Sequence, residues 1–249
     1  MRAGPRRRRE RGPRGAGVRP GLWAAALAAL AGLAPGRASA QAVLDQGVFL
    51  ISRDGAEIGR EEFAIQATPG RQGRPGVRAV ATDRYREREV QVALDLTDDH
   101  RPVAYQADVT VGGRLTERLS GQLARGRFAV RIVSPTGEVV REFAVPADVV
   151  VLDDDGFDQF YFVPRPAGEG SLPVSLIRPR DKVVVTGEVR SLGMDTVVVG
   201  SRGVPAVHYG LTLPGGDTRE FWFSSSGSLL KVALPSHSIV AVRTSLPIR

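Results

Sequence analysis

The chain has 249 residues, no cysteine, and 34 basic against 27 acidic side chains. The missing cysteine excludes disulfides, thiolate metal sites, a cysteine nucleophile and a lipid-modified N-terminal cysteine. Nine of the basic residues and one of the acidic ones lie within residues 1–40, so the remaining 25 bases and 26 acids nearly cancel, and removing that stretch leaves no electrostatic case for a nucleic-acid partner.

Residues 1–40 carry the marks of a secretory signal peptide. Arg6 to Arg9 form a basic region, Gly21 to Leu33 are uncharged and mostly apolar, and Ala38 and Ala40 are small residues in front of a cleavage point at Gln41. The apolar run is shorter than the ~20 residues a membrane-crossing helix needs. The mature chain, residues 41–249, is therefore expected to be exported, to the periplasm or beyond, without spanning a membrane. Its length suits a single domain with its own core.

From Gly47 onward the apolar positions alternate with period two. Gly47 to Ile51 leads through Asp54-Gly55 to Ile58 and Phe63 as a first hairpin; Val90, Val92, Leu94 and Leu96 form one buried face, Tyr105, Ala107, Val109 and Val111 another, and Phe128, Val130 and Ile132 a third. Gly112-Gly113, Arg125-Gly126, Pro135-Thr136-Gly137, Gly215-Gly216 and Ser226-Gly227 supply the turns between such runs.

One segment departs from this pattern. Asp153-Asp154-Asp155 would cap a short helix, on which Phe157, Phe160 and Tyr161 recur at i, i+3 and i+4 and share a face until Pro164 and Pro166 stop it. Such a helix either covers or plugs the open side of a curved sheet, or simply closes its core. Further on, Tyr209, Leu211 and Leu213 lie on one strand, and Phe221-Trp222-Phe223 is apolar on both faces, which calls for a core on one side and a helix, second sheet or ligand on the other. The fold class is all-β with one short helix, an antiparallel meander forming a curved, incomplete β-barrel with a helical lid or plug. Phe157, Phe160, Tyr161, Tyr209 and Trp222 are the candidate ligand-binding residues.

Motifs for chemistry fail on spacing. Placing Gly156 sixth in a calcium loop makes Val151 and Phe162 the first and twelfth ligands, and neither can coordinate. Ser228-Leu229-Leu230-Lys231 matches S-x-x-K, but on a strand residues three apart face opposite sides. His100, His208 and His237 have no paired spacing. No catalytic residue, metal ligand or cofactor is assigned.

The hairpin Gly47 to Phe63, Arg178-Pro179-Arg180, and Leu213-Pro214-Gly215-Gly216 through Phe221-Trp222-Phe223 to Leu234-Pro235 resemble exported bacterial proteins of uncharacterised domain families. These are similar in architecture to the periplasmic lipoprotein carriers LolA and LolB, which implies an incomplete antiparallel barrel with a helical lid over an apolar concavity. The absence of cysteine departs from the acylated anchor of LolB. The resemblance implies a non-catalytic binding or carrier protein for an apolar or acyl-chain ligand, in cell-envelope biogenesis. An envelope scaffold acting by protein–protein contact, through a strand edge or the loop from Thr68 to Gly76, is the alternative. A hydrolase ranks third, since it would need His208 or His237 gathered with an acid and a serine.

Overall fold

The computed structural model describes residues 42–69 and 74–246. The expected leader with its cleavage residues Ala38, Ala40 and Gln41, and part of the loop after Thr68, lie outside the described residues.

Among the described residues, fifteen strands form one sheet. Its first eight are β1 (Val43–Arg53), β2 (Ala56–Thr68), β3 (Gly76–Tyr85), β4 (Arg88–Thr97), β5 (Pro102–Val111), β6 (Arg114–Ala124), β7 (Arg127–Ser134) and β8 (Gly137–Ala144). After a two-residue strand β9 (Val150–Val151) come β10 (Ser171–Arg178), β11 (Val183–Val199), β12 (Arg202–Thr212), β13 (Thr218–Ser224), β14 (Leu229–Leu234) and β15 (Ile239–Arg243). Every strand bonds to its sequence neighbour except β8 and β9, and β1 bonds to β15, so the order is a ring opened at one seam. All pairings are antiparallel apart from β9 with β10. This is the expected curved, incomplete β-barrel.

The turns explain the meander. Asp54-Gly55, Gly112-Gly113 and Arg125-Gly126 all hold positive φ at both positions, the geometry whose twist matches that of the flanking strands. Alternation then sets the faces: Val77, Ala79 and Ala81 on β3, Val90, Val92, Leu94 and Leu96 on β4, and Phe128, Val130 and Ile132 on β7 are buried in one inner core. Charges alternate with them on the outer face, as in the pairs Arg78–Asp95 at 2.9 Å and Arg118–Asp108 at 2.7 Å. Apolar-in and charged-out is the reverse of a lipid-facing barrel. Val111, expected on a buried face, is exposed because it ends β5 at the rim.

The ring closes at its termini through a buried ion pair. Arg243 on β15 lies 2.8 Å from the Asp45 carboxylate on β1, with both side chains fully buried. Its guanidinium also donates to the main-chain carbonyls of Ser245, Leu229 and Gln46. Gly47 is required beside it, because a Cβ there would stand 2.8 Å from the guanidinium.

A second, smaller core sits on the outer face. A register shift between Ser191 and Gly193 changes the face that β11 presents, so Val189 packs inward while Val197 and Val199 join Ala206, Trp222, Leu230 and Ala233. The β11–β12 hairpin thereby covers the outside of β13 to β15, and a Cβ at its Gly200 tip would meet the Thr244 carbonyl at 3.3 Å. This supplies the second sheet layer that Phe221-Trp222-Phe223 calls for.

Candidate functional site

From β8 the chain turns into the barrel. Val149 to Leu152 are buried, β9 pairs with Leu176 and Ile177 of β10, and a single 3-10 turn, Asp158–Phe162, follows the Asp153 to Asp155 bend. Phe157, Phe160, Phe162 and Val163 all belong to the inner core. The expected short helix is present as a plug that fills the interior.

Four of the five candidate ligand residues come together there. Phe160 lies 5.6 Å from the Phe221 ring, Tyr209 stacks on Phe221 at 5.5 Å, and Tyr161 sits 6.2 Å from Phe223. Phe157 and Phe160 are each only 1% exposed, so they are packed against their own chain and do not line an open concavity. Trp222 is not part of the group. One residue along β13 reverses the face, and Trp222 lies in the outer core, stacked on His208 at 4.1 Å, under the Lys231 ammonium at 4.1 Å, with its indole N–H donating to Asp195 at 2.9 Å.

At the rim the three aspartates are held by four arginines from separate strands and turns. Asp155 accepts from Arg88 at 2.7 Å and from Arg180; Asp154 accepts from Arg219 at 2.5 Å and from Arg178; Asp153 accepts from the Tyr105 hydroxyl at 2.6 Å and from the Arg180 main-chain N–H at 3.2 Å. The bend caps no helix with its side chains: the residue before the 3-10 turn is Phe157, and no side chain of the bend bonds the turn. Burial raises the Asp155 carboxyl, but Arg88 and Arg180 outweigh it and hold it below the usual range. Asp153 is pushed up to about 6, chiefly by burial. A cleft of about 580 Å³ opens here, between Val109 and Thr116 on one side and Asp154, Asp155 and Arg180 on the other.

Beneath the rim lies a feature the sequence reading did not assign. Glu61 on β2 and Asp83 on β3 are register partners, both fully buried on the inner face. Glu61 caps the plug from across the barrel, accepting the Phe157 N–H at 2.8 Å and the Asp158 N–H at 2.7 Å. Among the described residues neither oxygen of Asp83 has a donor, and one oxygen of Asp158 is equally unpartnered. Burial, followed by the charges of Asp83 and Asp158, raises Glu61 well above the carboxylate range. Asp83 is likewise raised by burial, against a hydrogen bond with Glu61 that lowers it. Asp158 is pushed up to about 7, again by burial. With no donor to Asp83 among the described residues, two carboxyls paired in the core favour one of them keeping its proton.

The signal for this cluster is phase. Glu61 falls in step with Phe63 and Ile65, and Asp83 with Val77, Ala79 and Ala81, so each acid interrupts an otherwise apolar inward face. A carboxyl raised toward neutrality can serve as a general acid or base where a substrate proton is within reach. Glu61 and Asp83 are sealed in the core, and Glu61 commits both oxygens to the plug, so the arrangement fastens a segment. His208 has an acid, Glu220, at 3.1 Å, but among the described residues no serine hydroxyl is bonded to it and its ring face is taken by Trp222. His100 packs on Phe162 at 5.4 Å, and His237 lies exposed between β14 and β15. Among the described residues no three His, Cys, Asp or Glu are grouped to hold a metal ion, and no helix is long and apolar enough to cross a membrane.

No family model matches the chain, and no curated protein matches it significantly. Among solved structures, the chain is similar to a β-barrel-like protein of a domain of unknown function, DUF1849, from Brucella abortus, with 12% identity, a TM-score of 0.50, and coverage of 80% of this chain and 94% of that one. This supports an uncharacterised β-barrel-like domain as the fold; it does not support LolA or LolB in particular.

Proposed function

We propose that this chain is an exported, non-catalytic binding protein of the cell envelope that engages a protein partner along its open seam. The supporting observation is a contrast: the plug's phenylalanines fill the interior, whereas all of β8 but Phe143 is solvent-exposed. The Val145 N–H donates back to Gly126 beside β7, so in the unbroken β7–β8 ladder the main-chain groups of Glu138, Val140, Glu142 and Ala144 point outward, and a further strand can pair there by displacing the exposed Arg141 guanidinium, whose N–H the Val140 carbonyl accepts at 3.0 Å. Pairing β8 with a second copy about Val140, Arg141 or Glu142 would set Glu138 against Glu142, Arg141 against Arg141, or Glu142 against Glu142, which favours a different partner.

Carriage of an apolar or acyl-chain ligand is the second reading. It is favoured by Phe157, Phe160 and Phe162 sharing one short segment, which by leaving would vacate an apolar space. It requires that Glu61 release the plug.

Photo-crosslinkers at Val140 and at Tyr161, in the full chain expressed in a Gram-negative host, separate the two. The seam reading expects a protein adduct from Val140 alone, on a chain processed to begin at Gln41. No adduct from Val140, or a lipid adduct from Tyr161, would overturn it.

A further inference from the structure

The outer face of the barrel carries a trench that meets the seam only at Val140. One line of cross-strand partners runs over eight strands: Gln46 pairs with Ala64, Ala64 with Val80, Val80 with Ala93, Ala93 with Gln106, Gln106 with Ser120, Ser120 with Arg131 and Arg131 with Val140. From Ala64 to Ser120 its side chains are short or uncharged. Two to four residues to either side along the strands stand longer side chains tied in ion pairs: Arg84 with Glu62 at 2.8 Å and with Glu89 at 3.1 Å, Arg118 with Asp108 at 2.7 Å, and Arg78 with Asp95 at 2.9 Å. Short side chains between rows of long ones make a groove.

The cavities on this face show that it is continuous. A space of about 520 Å³ over β1 to β3 shares Val80 and Thr82 with one of about 530 Å³ over β3 to β6, which in turn shares Gln106 and Ser120 with one of about 330 Å³ reaching β8. With strands ~4.8 Å apart, seven steps give a length of about 34 Å, which suits an extended chain.

Its chemistry selects the chain. Every named wall arginine is paired, and the four carboxylates exceed the three arginines by a single charge, so the trench repels a polyanion and gives a polycation little hold. The floor runs from an apolar stretch at Ala64, Val80 and Ala93 to the exposed amide and hydroxyl of Gln106 and Ser120. A linear polysaccharide can lay C–H faces on the first stretch and bond hydroxyls to the second, whereas an acyl chain would leave the amide and hydroxyl groups unpaired. We infer that this trench is a binding site for a neutral, unbranched glycan.

The test is affinity electrophoresis of the mature chain in gels containing a soluble, neutral, linear β-glucan. The wild type should be retarded, while Ala93→Arg and Ser120→Arg, which raise long side chains from the floor, should weaken retardation at least tenfold with the thermal midpoint unchanged. Met194→Arg, exposed on β11 away from the trench, should be retarded like the wild type. Unchanged mobility of the wild type, equal retardation of the floor variants, or binding of an acidic polysaccharide, a peptide or a fatty acid in place of the glucan would overturn the inference. Crosslinking from Val140 reads the seam separately, so either result can fail without the other.

Discussion

Glu61 and Asp83 face each other across β2 and β3 inside the barrel, two buried carboxyl groups to which no cation is bonded among the described residues. Glu61 is occupied by two N–H groups of the plug, which leaves Asp83 facing an acceptor. Burial raises both carboxyls, so keeping a proton on the pair favours the seated plug.

The consequence is a stability that favours acid. Asp158 is pushed up to about 7 and Asp153 to about 6, with Glu61 and Asp83 raised as well. Acids whose folded pKa lies above the unfolded value of ~4 contribute fully below it, and the contribution is lost as pH rises through the folded pKa. The free energy of unfolding should fall between about pH 5 and pH 8, by a margin on the order of a few kcal/mol, and the thermal midpoint with it. Exposed Glu138 and Asp108, held low by Arg131 and Arg118, act oppositely and lose their contribution only in stronger acid. Calorimetry across this range should therefore find the maximum near pH 4 to 5, about where the two sets of groups cross.

Asp83→Asn should reduce that dependence, leaving the shares of Asp158 and Asp153. The amide can donate to Glu61 without a stored proton, so the variant should melt above the wild type at about pH 8 and close to it at about pH 5. Parallel slopes for the two proteins would separate the pH response from Asp83.

Glu61→Ala leaves the Phe157 and Asp158 N–H groups buried without acceptors, at about 1–3 kcal/mol each. Denaturant unfolding should show the loss. Binding of a hydrophobic dye should rise with it, because the plug is freed before the sheet unfolds.

Breaking the terminal closure should be costlier than replacing it. Arg243→Met alone strands the buried Asp45 carboxylate and should cost about 3–5 kcal/mol, while Asp45→Leu with Arg243→Met should recover much of that. Additivity of the two single losses in a double-mutant cycle would show that the residues do not act as a pair.

Alternation made most of this barrel legible from sequence, because every hairpin pairs neighbouring segments and the two-residue turns fix the register. The aromatic spacing of Phe157, Phe160 and Tyr161 located the plug. The seam between β8 and β9 was not legible: closure of β1 onto β15 joins residues almost 200 apart, as the Arg243 to Asp45 bond does, and no local pattern encodes it. The outward burial of Trp222 depends on a bulge at Gly193 that redirects a hairpin, again a long-range effect. For the acid pair the signal was present in the phase of Glu61 and Asp83, but an acid on an apolar face reads as an edge or a break until the facing strand is known.

Amide hydrogen exchange of the mature chain, corrected for intrinsic rates, tests most directly whether the plug is a seated core element. The Phe157 and Asp158 amides, bonded to Glu61, should be protected as strongly as the central amides of β3. Protection as weak as that of the exposed β8 edge would mean that the segment swings free as a lid, and would contradict the closed interior on which this account rests.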